Sequence, residues 1–155
     1  MILAGKADRV IAFGSFDILH PGHLLYLREA KRFGRKLIVI VARDSSIKKL
    51  KGRKAALDEN ARLEIVKSLR IVDKALLGSS FRSEEGMYGI IERVKPDVIA
   101  VGYDQKLDIM ELKEWLGRKK MRARIVRISS YYKKYKSSGI RRKIAHGYLR
   151  PVLQT

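Results

Sequence analysis

The chain has 155 residues, 46% hydrophobic and 33% charged, with no cysteine and a formal net charge of +19. That composition suits one folded domain and excludes a wholly disordered chain, disulfides, thiolate metal sites and cysteine nucleophiles. The longest apolar run is six residues, Leu37 to Ala42, too short for a membrane-spanning helix, and the stretch Met1 to Lys6 has neither the length nor the order of a secretory signal.

Val10 to Phe13 reads as a short buried strand ended by Gly14. Pro21-Gly22 opens a helix to about Phe33, with Leu24, Leu27 and Ala30 on one side. Lys36 to Ala42 is the clearest strand, a continuous β-branched run of the kind buried on both faces. Lys48 to Lys54 reads as a basic loop. Asp58 is the expected N-cap of a helix to about Leu69, with Ala61, Ile65 and Leu69 at helical spacing. Asp73 to Leu77 is a third strand, closed by Gly78. Ser83-Glu84-Glu85 has the form of a cap with an acidic first turn, followed by Met87, Ile90, Ile91 and Val94 at helical spacing until Pro96. Asp97 to Gly102 is the fourth strand. Asp108 with Glu111 resembles a capping box before a helix to about Gly117. Arg124 to Ile128 is the fifth strand, and a last helix runs from about Ser138 to Ala145. From Gly147 on, the tail is expected to be poorly ordered or used in packing. The alternation predicts an α/β fold: a single Rossmann-like, doubly wound, parallel five-stranded sheet flanked by helices. Residues 1–155 form one domain on this reading, with a core of about 9–145 and a tail of 147–155.

Ligands of open parallel sheets bind beyond the carboxyl ends of the strands. Four polar clusters fall there: Gly14-Ser15-Phe16-Asp17, Ala42-Arg43-Asp44, Gly102-Tyr103-Asp104-Gln105, and Ser129 to Ser138. The sharpest local feature is His20-Pro21-Gly22-His23 at a helix start. Two imidazoles three residues apart share a face, and the helix N-terminus beneath them is a ready anion site. Such a pair can donate hydrogen bonds to phosphoryl oxygens as charge builds. Two other readings stand beside it: a metal site with Asp17, for which no third histidine is near, and plain capping of the turn. Ser137-Ser138, with Lys133, Lys134 and Lys136 nearby, is either a phosphate cradle or an ordinary N-cap. Lys51 and Arg53 serve a phosphate or belong to a solvated loop. Asp104 binds ligand or forms a turn with Gly102. Tyr103, Tyr131, Tyr132 and Tyr135 stack on a ring system or pack.

The run Gly14-Ser15-Phe16-Asp17-Ile18-Leu19-His20-Pro21-Gly22-His23 resembles the G-T-F-D-x-x-H-x-G-H signature of the cytidylyltransferase-like nucleotidyltransferases, with Ser in place of Thr. The likeness continues through Ala42-Arg43-Asp44, Lys51 to Lys54, Asp58 to Arg62, Lys95 to Ile99, Gly102 to Gln105 and Ser137-Ser138, over roughly residues 9 to 145. Within the family the chain is most similar to the archaeal FAD synthases and their glycerol-3-phosphate cytidylyltransferase relatives. It carries neither the cysteine-containing segment of the former before the last helix nor the Arg-Thr-x-Gly-Ile-Ser-Thr of the latter.

The resemblance implies a one-step transfer, in which a phosphate oxygen of an acceptor attacks the α-phosphorus of a nucleoside triphosphate and pyrophosphate leaves. It implies ATP with FMN, or alternatively CTP with glycerol phosphate or a similar alcohol phosphate. A divalent metal, magnesium, would be carried with the triphosphate, with no metal ligand assigned among the side chains. His20 and His23 would be catalytic. Ser15, Phe16, Asp17, Pro21, Gly22, Gly102, Asp104, Tyr131, Ser137 and Ser138 would bind the nucleotide with them. Lys51 and Arg53 would face the acceptor phosphate. A cytoplasmic homodimer is expected, without a membrane. The competing class is a nucleic-acid-binding module. It rests on the thirteen basic and no acidic residues from Trp115 on, and no nucleic-acid motif accompanies them, so nucleic acid is not the expected partner.

Overall fold

The computed structural model describes residue 5 and residues 7–80, 86–129 and 134–148. Five strands, β1 (Ala7–Gly14), β2 (Gly34–Val41), β3 (Lys74–Leu77), β4 (Val98–Gly102) and β5 (Arg124–Ile128), alternate with six helices. These are α1 (Pro21–Lys31), α2 (Asp44–Lys51), α3 (Glu59–Lys67), α4 (Gly89–Val94), α5 (Ile109–Arg118) and α6 (Ser137–Tyr148). A 3-10 turn, Gly86–Tyr88, leads into α4.

The sheet is parallel throughout, in the order β3-β2-β1-β4-β5. The doubly wound fold read from the sequence is therefore the fold observed. The strand order reverses between β1 and β4, which puts the expected ligand crevice at their carboxyl ends.

Both faces of the sheet are buried, and alternation sorts the strand residues between two cores. Val10, Ala12, Val39 and Val41 pack with Leu27 and Ala30 of α1 and Val66 of α3. Ile11, Ile38, Ile40, Ile99 and Val101 pack with Ile90 and Ile91 of α4 and Leu112, Trp115 and Leu116 of α5. Two-sided burial is why the strands read as unbroken apolar runs.

The caps expected at Asp58 and Asp108 are present. Asp58 Oδ1 accepts the N–H groups of Asn60 and Ala61, each at 2.9 Å. Asp108 Oδ1 accepts that of Glu111 at 2.9 Å. Helix α4 ends before Pro96 with Lys95 in the left-handed region.

Two expectations need correction, at α2 and α6, and α3 turns inward a face that the spacing did not pick out. Residues Lys48 to Lys51 are not loop but the last turn of α2, which buries Ser46 and Ile47 and ends at Gly52 with φ of 65°. Lysines in that last turn complement the helix dipole, so a basic run is compatible with helix there. The inward face of α3 is Arg62 and Val66, whereas Ile65 is 37% exposed. The face is turned because the Arg62 guanidinium, fully buried, hydrogen-bonds to two carbonyls and a carboxylate on that side. Helix α6 begins at Ser137 and runs through Gly147 to Tyr148, past the expected end at Ala145. The expected cap Ser83 to Glu85 and residues 149–155 lie outside the described residues.

Gly34 starts β2 where there is no room for a side chain. A Cβ there would stand 2.4 Å from Val10 Cγ2 and 3.1 Å from the Ala7 carbonyl oxygen. Gly34→Ala is expected to cost about 1–3 kcal/mol of stability through overpacking, read as a lower urea midpoint at unchanged slope.

Candidate active site

The turn from β1 into α1 is built around two imidazoles. His20 is the N-cap of α1, with extended backbone, and its Nδ1 accepts the Gly22 N–H at 3.1 Å. His23, three residues on, returns the contact: its Nδ1 accepts the His20 N–H at 3.3 Å. This is a capping box made of histidines rather than Ser and Glu. The rings stack with centroids 3.8 Å apart and planes 26° from parallel.

A consequence follows for the protons. A neutral imidazole has one donor and one acceptor nitrogen. With both Nδ1 atoms accepting, both rings carry their proton on Nε2, the edge left over for a ligand. Capping thus spends Nδ1 of each ring and leaves Nε2 to a ligand, so the two uses would not compete. Burial pushes His23 down to about 3, helped by the positive fields of His20 and Lys51. Burial also lowers His20, against the opposing pull of Asp104. Both rings are neutral Nε2–H donors at neutral pH, and an arriving polyanion would raise both.

Gly22 is required by the packing. A Cβ on it would lie 2.9 Å from the His20 ring and 3.3 Å from the Tyr135 carbonyl oxygen. The segment leading into α6 therefore presses against the N-terminus of α1. Ser137 fastens the two, its Oγ donating to the Ile18 carbonyl at 3.3 Å. Two helix N-termini, one capped by the histidine pair and one carrying Ser137-Ser138, meet at the carboxyl end of β1. Ser138 is exposed and Pro21 stands at the rim.

Around them the expected residues fall as follows. Phe16 has a left-handed backbone (φ 49°) and a ring 2% exposed, 5.3 Å from that of His23. Its side chain is core, so any contact to a nucleotide is through backbone. Ser15 gives its carbonyl to Arg62. Gly102 at the end of β4 donates its N–H to Gln105 Oε1 at 2.9 Å, and its carbonyl takes Arg127 Nη1 at 3.0 Å. Asp104 is exposed in the turn that follows, and its charge is felt by both His20 and Lys51. Burial lowers Lys51, with neighbouring Arg53 adding to the effect. Tyr103 lies under the Lys136 ammonium, 5.9 Å from its ring centre. Tyr131, Tyr132 and Lys133 lie outside the described residues.

Asp17 differs most from the sequence reading. It is 2% exposed, and its carboxylate is turned toward protein groups. Oδ1 accepts the N–H groups of Ala56 at 2.8 Å and Leu57 at 3.1 Å. Oδ2 pairs with Arg53 at 3.4 Å and with Arg141 of α6. One carboxylate thus ties the α2–α3 loop and α6 to the histidine turn, and Arg53 is partly spent on it.

Two further residues escaped the sequence reading. Arg62 is fully buried. It donates to the Leu57 carbonyl at 3.0 Å, the Ser15 carbonyl at 2.7 Å and Asp44 Oδ1 at 2.7 Å. Asp44 in turn is locked to Glu59 by reciprocal backbone contacts of 2.9 and 3.2 Å. The signal was there: Arg62 is four residues from Val66 and so on the same helix face. Arg141 reaches the site from within α6, and its Nε is buried without a hydrogen-bond partner among the described residues.

Among the described residues no group of three or more His, Asp or Glu side chains is placed to hold a metal. None of the described helices is long and apolar enough to cross a membrane.

Asp17→Asn keeps an acceptor for the loop N–H groups and removes the charge facing two guanidinium groups. It is expected to cost about 1–3 kcal/mol, less than a fully buried pair because both arginines keep some solvent, and to speed proteolysis in the α2–α3 loop. The depressed His23 also couples to stability. The unfolded chain binds that proton near 6.5 and the folded chain only near 3, so stability falls as pH drops below 6.5 toward 3. His23→Gln is expected to flatten that part of a thermal-melting profile against pH.

Comparison with known proteins agrees with this geometry. The model of the cytidylyltransferase-like family matches residues 11–143. The chain is 47% identical over 135 residues to a protein named FAD synthase from Thermoplasma acidophilum, covering 87% of this chain and 92% of that one. It is 46% identical over 123 residues to another of that name from Aciduliprofundum boonei, covering 79% of each. A crystal structure described as a lipopolysaccharide core biosynthesis protein from Thermoplasma volcanium superposes with a TM-score of 0.74 at 44% identity, covering 81% of this chain and 99% of that one. By its histidine turn, its sheet and these relatives, the chain belongs to the cytidylyltransferase-like nucleotidyltransferase family.

Proposed function

We propose that this nucleotidyltransferase is an FAD synthase, joining the AMP of ATP to FMN with release of pyrophosphate. The observation that carries the reaction class is the pair of Nε2–H donors set side by side at the N-terminus of α1. The choice of FMN and ATP is supported by relatives of 44–49% identity that bear the name FAD synthase.

In the proposed step an oxygen of the FMN phosphate forms a bond to the α-phosphorus of ATP. The bond from that phosphorus to the oxygen bridging to the β-phosphorus breaks, and its electron pair leaves with pyrophosphate. Negative charge grows on the α-phosphoryl oxygens and on the leaving group. Neutral imidazole donors held rigidly by the helix cap stabilise that charge without reorganising. Ser137 and Ser138 at the start of α6 receive the departing pyrophosphate, together with the unpartnered N–H of Arg141. Asp104 positions the nucleotide from the end of β4, and Tyr131 is the proposed neighbour of its base. Lys51 and the free edge of Arg53 face the FMN phosphate.

Magnesium travels with the triphosphate in this reading. Imidazoles and cations surround the phosphate position, so its ligands would be phosphate oxygens and water, as is usual for this ion. The enzyme is further proposed to work in the cytoplasm as a homodimer, which light scattering on the purified chain tests.

The assay is pyrophosphate release with ATP or CTP paired with FMN or glycerol phosphate. ATP with FMN is expected to give pyrophosphate and FAD in equal amounts. Faster release from CTP with glycerol phosphate would reverse the assignment. His20→Ala and His23→Ala are each expected to lower kcat about a hundredfold or more, the scale of losing a preorganised oxyanion donor, with folding little changed. With both histidines held below 6.5 in the free protein, neither is expected to give kcat/KM a limb at pH 6.5, and any limb near there is expected to follow the ionisation of the substrate phosphates.

A further inference from the structure

We propose that the amino edge of the sheet, the side facing away from the histidines, is a docking surface for a polyphosphodiester, a strand of nucleic acid. Helices α1, α3, α4 and α5 all descend to this edge before the chain enters β2, β3, β4 and β5. Take the last turn of each helix, the connection after it and the first three residues of every strand. Among the described residues these segments hold sixteen Lys and Arg against six Asp and Glu. That surplus of ten is half of the chain's +19, carried by less than a third of its residues.

The surplus is densest between α5 and β5. Arg118, Lys119, Lys120, Arg122 and Arg124 follow one another there with no acidic residue from 115 to 128. Cations in a last helical turn are accounted for by the helix dipole. Lys120, Arg122 and Arg124 lie beyond that turn, as do Arg32, Arg35 and Lys36 below α1, so the dipole does not explain them. All six are exposed.

A recess of about 410 Å³ opens between these two groups, lined by Arg32, Phe33, Asp97 and Arg124 among others. The recess sets one carboxylate, Asp97, whose Oδ2 accepts the N–H groups of Asp8 at 3.1 Å and Arg9 at 2.8 Å, against two arginines, of which Arg32 also meets Glu29 at 3.3 Å. The Arg124 guanidinium stands 5.6 Å over the Phe33 ring. Two guanidinium groups beside an aromatic ring are the side chains that take phosphates and a stacked base.

The opposite edge has anionic substrates to meet its own positive charge, and these cannot reach across the sheet. Nor does the surface suit a bilayer. Among the described residues, four of the five exposed large apolar side chains, Leu50, Leu57, Met110 and Ile144, lie away from it, and the fifth, Ile65, is 37% exposed. Five of the thirteen basic residues that follow Trp115 fall on this edge, between Arg118 and Arg124, and this inference does not rest on the identity of the acceptor substrate.

The test is fluorescence anisotropy of the full chain with a labelled 20-nucleotide single-stranded RNA of mixed sequence, across a series of salt concentrations. Arg32→Gln, Lys120→Gln, Arg122→Gln and Arg124→Gln are combined in one variant. Lys48→Gln, Lys106→Gln, Arg142→Gln and Lys143→Gln are combined in a charge-matched control. The amino-edge variant is expected to weaken binding at least about tenfold and to lower the slope of log K against log salt by about 2–3, from about 0.7 per lost phosphate contact. The control is expected to change binding less than about twofold, since its charges lie off the contacted phosphates. Pyrophosphate release should be the same in the amino-edge variant as in the parent chain, and saturating ATP should not displace the RNA. Equal weakening in both variants, displacement by ATP, or binding only to vesicles containing phosphatidylglycerol would each overturn the proposal.

Discussion

The site depends on what the first turn of α1 does with its N–H groups. A helix begins with unpaired donors, and most proteins satisfy them with a hydroxyl or a carboxylate. Here the Nδ1 atoms of His20 and His23 do it. That choice spends one nitrogen of each ring on the fold and fixes the proton on the other. The Nε2 donors proposed to act on the phosphates are then as rigid as the helix the rings cap. Their neutrality comes from the same burial that holds them in place.

The remaining contacts of the site hold pieces of chain against this cap. Arg62, from α3, grips the carbonyl of Ser15. Asp17 collects the α2–α3 loop and α6 on one carboxylate. Below β1 and β4, Tyr26 donates its hydroxyl to the Ala100 carbonyl at 2.9 Å and receives the Phe13 N–H at 3.3 Å, joining α1 to both strands where their order reverses. Burial pushes that phenol's pKa up, so it stays a neutral structural bridge. Each of these links joins segments far apart in sequence, and each ends within a few residues of the histidine turn.

The strands were legible because two-sided burial leaves a plain trace, an apolar run bounded by Gly or Pro. Asp58 and Asp108 were legible because capping is a local interaction. The histidine pair was legible because its spacing is short. Helix α2 was obscured by its own lysines, which look like loop and serve a helix C-terminus. Arg62 was obscured because a buried guanidinium is rare without partners, and two of its three partners are 18 and 47 residues away. Asp17 sits within the most conspicuous motif of the chain, yet nothing local says that its carboxylate faces Ala56, Leu57 and Arg141 rather than a ligand.

The most direct measurement is the tautomer of the two rings, read by nitrogen-15 NMR on the histidine side chains with and without ATP. The account predicts that both Nδ1 atoms are bare, that both Nε2 atoms carry the proton at neutral pH, and that the Nε2 signals move when the nucleotide is added. Protons on Nδ1, or Nε2 signals indifferent to ATP, would contradict it.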